Sequence, residues 1–187
     1  LRNTLRTTLI DIWEYVIPIW KISGLFKRIK SKQDLENFIQ ERSAHVAQTT
    51  LYGYLKTRIG VKYIAMMQDD VFLKSINIAK WNIYVVALAD CAFYVFSYLI
   101  SEKNLKENDC KEIFLNILEN EKKNGLNDEI FDRGKKNFLE RINKVNFLNY
   151  HLKDPFKESG QALYYWSPIA DELKSLDKKI VLNSIHL

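Results

Sequence analysis

Glycine and proline are scarce, with six Gly and three Pro among 187 residues. So few turn-formers argue against a β fold of many short strands and favour long helices. The glycines are scattered, so no Walker or Rossmann phosphate cradle can be built from them. Cysteine is scarcer still. Cys91 and Cys110 are too few for a disulfide framework, and Cys91 stands in the most apolar run, where a reduced thiol acts as a small hydrophobe. That usage suits a reducing, cytoplasmic compartment. His45, His151 and His186 have no second His or Cys at metal-ligand spacing, so no metal site is expected. Asp69-Asp70 begins like an aspartate-rich magnesium motif, but no Asp follows at the needed spacing, and helix capping accounts for the pair. There is no G-x-S-x-G and no strand pattern to carry a nucleophile elbow. No cofactor is expected. The N-terminus lacks the short apolar leader and small-residue cleavage site of a signal peptide.

Apolar and aromatic residues are plentiful. Hydrophobic residues make up 47% of the chain and aromatics 13%, against 27% charged, a globular balance. The length suffices for one domain with a substantial core. The net charge is +5, and it is uneven. Residues 1–62 hold eleven Lys or Arg against five Asp or Glu, whereas residues 108–187 hold thirteen of each. A basic N-terminal stretch can meet phosphates or an anionic membrane surface. A solvated basic face is the simpler account of such a pattern.

Periodicity predicts a helix over 4–17, ended or kinked at Pro18. A second segment, 19–29, runs with Trp20, Leu25 and Phe26 into Lys27, Arg28, Lys30 and Lys32. Ser31 with Asp34 three residues on reads as a capping box. It opens a long helix through Leu35, Phe38, Ile39 and Val46, with Gly53 as a place for close helix approach and Gly60 as its stop. A helical turn is expected at 63–67. Asp69 or Asp70 caps a helix over 71–80, and the apolar run 81–100 follows, continuous with it or separate. Asn108 or Asp109 is expected to cap a helix to about Lys123. Asn124-Gly125 reads as a turn, and Asn127 or Asp128 caps a helix through Phe138 and Ile142. Residues 150–160, with Pro155 and Gly160, read as a loop. Ser167-Pro168 opens a last helix through Leu173, Leu176, Ile180 and Ile185. The fold expected is all-α, a single-domain irregular bundle of about six to eight helices. Residues 1–33 form an N-terminal helical arm with a basic cluster, and 34–187 the helical core. The first residue is Leu, so the chain is read as a fragment or as starting at a non-Met codon, and the last periodic run, Ile180 to Leu187, has no cap or breaker, so truncation at that end is expected.

Two polar features stand out. His45, Gln48, Thr49, Tyr52 and Lys56 share one side of the long helix, with Arg58 near its end. Asn77 and Lys80, with Trp81 and Tyr84, form a second helical set. Asp90 is the single charge in the run from Ile83 to Ile100. A buried unpaired carboxylate costs several kcal/mol or takes up a proton, so Asp90 needs a partner on another helix. Lys56, Arg58, Lys80 and Arg42 are the cations considered. The His45 stripe reads either as a polar seam that satisfies Asp90, or as a site for an anion or hydroxylated ligand with His45 as acid or base. The run of 18 residues is near the lower limit for a bilayer span. A central Asp opposes insertion by about 2.5–3.5 kcal/mol, so a buried bundle helix is the preferred reading.

The run Thr49-Thr50-Leu51-Tyr52-Gly53-Tyr54-Leu55-Lys56-Thr57-Arg58 resembles a family of alphaproteobacterial helical proteins. So do Asp69-Asp70-Val71-Phe72, Ser75-Ile76-Asn77-Ile78-Ala79-Lys80-Trp81 and, near the C-terminus, Trp166-Ser167-Pro168-Ile169-Ala170-Asp171-Glu172-Leu173-Lys174 with Asn183-Ser184-Ile185. The matches cover roughly residues 38–100 and 162–186. Some members carry the label "esterase", with no established catalytic residues to transfer. The resemblance implies a bacterial, cytoplasmic, single-domain protein. The function expected is a non-enzymatic helical protein-interaction or assembly protein, at the cytoplasmic membrane surface if residues 1–32 meet anionic lipid. The alternative is an esterase-like hydrolase around His45. Nucleic acid is disfavoured as a partner, because no recognisable module accompanies the modest positive charge.

Overall fold

The structure, a computed structural model, describes residues 29–172 together with Lys174 and Ser175. By its contacts the chain divides into two compact units, Leu1–Leu35 and Glu36–Leu187. Within the described part of the first unit, Ser31 Oγ accepts from the Asp34 amide at 3.1 Å. Asp34 reaches back to the Lys30 amide, also at 3.1 Å. The predicted capping box therefore forms, with its return bond one residue earlier than usual. The segment predicted over 4–17, the segment 19–29 except Ile29, and the last helix beyond Ser175 lie outside the described residues.

The architecture is all-α. The helices are α1 (Lys32–Ile59), the single turn α2 (Tyr63–Met66), α3 (Asp70–Ser101), α4 (Glu107–Lys123), α5 (Asp128–Ile142) and α6 (Lys157–Trp166). Short 3₁₀ turns occupy Gly60–Lys62 and Tyr150–Leu152. Among the described residues five helices reach ten residues, fewer than expected, partly because 71–80 and 81–100 are one helix. Nothing at Lys80-Trp81 breaks it, neither Gly nor Pro nor a competing cap.

Helix α1 shows how the sequence chooses its faces. Ile39, Ser43, Ala47, Leu51 and Leu55 recur every four residues and are buried. The Ser43 hydroxyl, buried in this row, donates back to the Ile39 carbonyl at 2.7 Å. Gly60, at φ +59°, stops the helix as predicted. Gly53 does not mediate close approach, for no heavy atom lies within 4 Å of where its Cβ would stand. Close approach occurs at Gly134 instead, where a Cβ would fall 2.3 Å from Val85 Cγ1. That glycine lets α5 sit directly on α3.

Helix α3 is the centre of the second unit. It packs against α4, α5, α6 and the Tyr150–Leu152 turn, and α4 packs on α5. By length and composition it could cross a membrane, yet Ile83, Leu88, Ala92, Phe93 and Phe96 are enclosed by other helices. Asp69 caps it by accepting from the Phe72 amide at 2.8 Å. An aromatic column runs through the core. Phe93 stacks on Phe138 at 4.8 Å, and Phe138 on Phe114 at 3.7 Å.

Three local expectations need correction. Neither Asn108 nor Asp109 caps α4. The cap position is Lys106, with no side-chain cap, and both acids of the first turn, Glu107 and Asp109, complement the helix dipole from inside. The region expected to be a loop over 150–160 contains the start of α6, with Gly160 inside the helix. Ser167 does not open the last helix, because its hydroxyl donates back to the Leu163 carbonyl and closes α6. The cap of the α5 side is as predicted, with Asn127 accepting from the Ile130 amide at 2.9 Å.

Candidate functional site

Asp90 is 0% exposed, and its partner is Arg141. The guanidinium Nη2 donates to Oδ1 at 2.5 Å from the last turn of α5. On the other oxygen, Oδ2 accepts from the Ser159 amide at 2.8 Å and the Ser159 hydroxyl at 2.6 Å. Ser159 is the third residue of α6, a helix with no side-chain cap of its own. One of its orphan N–H groups is thus satisfied by a carboxylate from α3, at the end where the helix dipole favours negative charge. Burial pushes the Asp90 carboxyl up from its ordinary range, while Arg141 and Ser159 pull it back. The same pair holds Arg141 up against its own burial. Arg141 also lies 4.9 Å from the centre of the Phe93 ring and donates to the Tyr150 hydroxyl at 3.1 Å. That hydroxyl donates in turn to the Pro155 carbonyl at 2.9 Å.

Glu121 makes a second buried centre. Its Oε1 accepts from Gln40 Nε2 at 2.7 Å and from the Tyr84 hydroxyl, and Oε2 accepts from Asn124 Nδ2 at 3.1 Å. Three neutral donors from α1, α3 and the turn after α4 therefore close around one carboxylate. Burial, then the charge of Glu121, pushes the Tyr84 phenol far up. Nearby, Glu36 accepts from Asn116 at 3.0 Å, a further tie between α1 and α4.

Ser97 and His151 form a third pair, with Oγ 2.7 Å from Nδ1. A Ser–His contact invites a catalytic reading, but the hydrogen bonds argue otherwise. Ser97 is fully buried, its hydroxyl donates to the Phe147 carbonyl at 2.6 Å, and it accepts from the His151 amide at 3.1 Å. With that proton committed, Nδ1 is the donor and both acceptor positions of Oγ are filled. The pair fastens the turn to α3 and leaves no lone pair for attack.

The sequence-predicted residues are distributed differently. His45, Gln48, Thr49, Lys56 and Arg58 are exposed on α1 and Tyr52 half-exposed, opposite the Ile39–Leu55 row. They share a face as read, and Tyr52, Lys56 and Arg58 each engage in an interaction of their own. Asp90 does not join them, and none of Lys56, Arg58, Lys80 or Arg42 is its ion-pair partner. Asn77 is exposed, and the Lys80 ammonium sits 5.1 Å from the Trp81 ring centre. The residues missed were Arg141, Ser159, Tyr150 and Glu121, whereas Tyr84 of the second set does enter a buried tie, to Glu121. A signal existed for two of them. Arg141 continues the buried row Gly134, Phe138, and Glu121 continues Phe114, Ile117, Leu118. A charge that falls on an apolar stripe marks a buried tie.

An open groove of about 780 Å³ lies between the start of α3 and the segment after α6. Met66, Val71, Phe72, Pro168 and Ile169 supply its apolar lining, and Asp69, Ser75 and Lys174 are among its polar groups. Lys174 is held there by the Tyr165 carbonyl at 3.1 Å and Asp171 at 3.5 Å. Val71 belongs to a stretch of chain, 61–78, that carries several exposed apolar side chains. Val61 is 98% exposed and Val71 73%, and Ile64 and Ile78 are exposed too. Among the described residues no cluster of three or more His, Cys, Asp or Glu could hold a metal. No protein-family model, curated protein or solved structure matches the chain.

Proposed function

We propose that this chain is a non-enzymatic helical protein-interaction or assembly protein, which receives an apolar helix of a partner protein in the groove at the start of α3. The observation that carries this reading is the exposed row Val71 and Ile78, one face of α3 at a spacing of seven, beside an open apolar groove. Large side chains left in water at such spacing fit the anchors of a helix laid into a groove. The buried polar groups support it indirectly. Asp90, Glu121 and Ser97 have their hydrogen bonds filled by other helices or turns, so they serve the fold. The two cysteines are buried and unpaired, which accords with a cytoplasmic setting. The similarity of the Thr49–Arg58 and Ser75–Trp81 runs to the alphaproteobacterial family belongs to the same proposal.

An esterase-like site around His45 has less behind it. His45, Gln48 and Thr49 are exposed on a single helix, and the nearest carboxylate proposed for them, Asp90, is enclosed elsewhere. A photo-crosslinking residue at position 71, in native cells, discriminates the two. Capture of one protein through an apolar helical segment, reduced about tenfold or more by Ile78→Glu, is the expected result. Capture that ignores Ile78→Glu, or ester turnover lost in His45→Ala with the fold intact, would overturn the interaction reading.

A further inference from the structure

A second surface lies far along α3, where the turn Tyr150–Leu152 meets its C-terminal half. Ser97 grips this turn at three points, the Phe147 carbonyl, the His151 amide and His151 Nδ1. Phe147 and Tyr150 turn inward onto the Phe93 ring, at 6.2 and 5.8 Å between centres. The leucines on either side of Tyr150 face outward instead. Leu148 is 67% exposed and Leu152 75%. Two exposed tyrosines of α3 adjoin them, Tyr98 edge-on to His151 at 5.9 Å and Tyr94 against Phe156 at 5.7 Å. The leucines are thus presented by a pinned turn, and not by a loose one.

The charges of this segment have a cationic excess. Lys144, Lys153 and Lys157 are exposed and make no ion pair among the described residues. They outnumber the exposed acids that stand among them in the sequence, Asp154 and Glu158, by three to two. Two leucines on a turn, tyrosines adjoining and free lysines in flanking positions make the residue pattern of a membrane-interface surface. We infer that this turn docks the protein on an anionic lipid bilayer, with Leu148 and Leu152 entering the acyl boundary and Lys144, Lys153 and Lys157 meeting headgroup phosphates. This surface is separate from the groove and does not depend on the function proposed for it.

Sedimentation of the full chain with vesicles of phosphatidylcholine, with and without phosphatidylglycerol, tests it. Binding is expected only with the anionic lipid, and weaker at high salt. Leu148→Ser with Leu152→Ser should reduce binding about tenfold or more, since each lost leucine insertion is worth about that factor. Both side chains are exposed, so the circular dichroism spectrum should not change. An environment-sensitive dye on Leu152→Cys should shift to the blue with anionic vesicles, which reads insertion at the turn independently of residues 1–32. Vesicle binding unchanged in the leucine double variant, a dye that does not respond, or a wild-type chain that stays in the supernatant would each overturn the inference.

Discussion

Replacing Arg141 with methionine keeps most of the side-chain volume and removes the counter-charge of a carboxylate that is 0% exposed. Breaking a buried ion pair from one side costs about 3–5 kcal/mol, because the remaining charge has no water to return to. The variant also forfeits the Tyr150 bond and the contact with the Phe93 ring, worth about 1 kcal/mol each. Against this, both Ser159 donors remain on Oδ2 and still satisfy part of the charge. The expected loss is therefore about 3–5 kcal/mol, within reach of the whole stability of an ordinary domain. Urea unfolding followed by circular dichroism measures it. Two further variants locate the cause. Asp90→Asn combined with Arg141→Met should be more stable than Arg141→Met alone, since the stranded charge is gone. Lowering the pH should also restore part of the loss in Arg141→Met. Without Arg141 the folded carboxyl, already pushed up by burial, moves further above its unfolded value. Its contribution is then favourable at low pH and lost as pH rises through the folded pKa. A loss under about 1 kcal/mol, or a double variant weaker than the single, would refute the account of Asp90 as a paired, buried tie.

Gly134→Ala sets two effects against each other: better helix propensity gains about 1 kcal/mol, but the new Cβ meets Val85 Cγ1 at 2.3 Å and overpacking costs about 1–3 kcal/mol. Net destabilisation in urea unfolding is expected, relieved when Val85→Ala is added. Alkaline pH should weaken the fold. Burial pushes Cys91 up to about 11, Cys110 up to about 12 and Tyr150 up to about 12, so each keeps its proton in the folded chain after the unfolded one has lost it. Stability should fall from about pH 9 upward for the two cysteines and from about pH 10 for Tyr150, by about 1.4 kcal/mol per pH unit for each group once the unfolded chain has lost that proton, and unfolding curves that coincide at pH 8 and pH 10 would contradict this.

The all-α architecture was legible because scarce Gly and Pro, long apolar periodicities and strong caps agree with one another. Asp69, Asn127, Gly60 and the Ser31–Asp34 pair each act within three or four residues, so the chain states them locally. The start of α6 was not legible, for its amide is satisfied by Asp90, 69 positions away. Without a local cap, and with Pro155 and Gly160 in view, the segment reads as a loop. The same holds for the Tyr150–Leu152 turn, whose fixing groups come from Ser97 on α3. The need of Asp90 for a partner followed from burial alone. Its identity did not, because periodicity orders residues around one helix and carries no information about which helix comes next to it.

The polar groups of α3 carry one further lesson about where function can reside. At Tyr84, Asp90 and Ser97 the helix presents a hydroxyl or carboxylate to a partner element, and in each case the partner supplies what completes the hydrogen bonding. These three positions are spaced by six and seven residues, so successive ties fall along α3 to α4, to α5 and α6, and to the 147–151 turn. Each is enclosed, and each fixes one neighbour in register, as a buried polar contact can where apolar packing alone would tolerate a slip. Groups spent in this way are not available to a ligand. What α3 leaves open are its two ends, the Val71–Ile78 row beside the groove and the Tyr94–Tyr98 pair beside the pinned turn. The interior ties set the positions of both surfaces, so Arg141→Met should loosen the turn that carries Leu148 and Leu152, through Tyr150, while leaving the groove end of the helix in place.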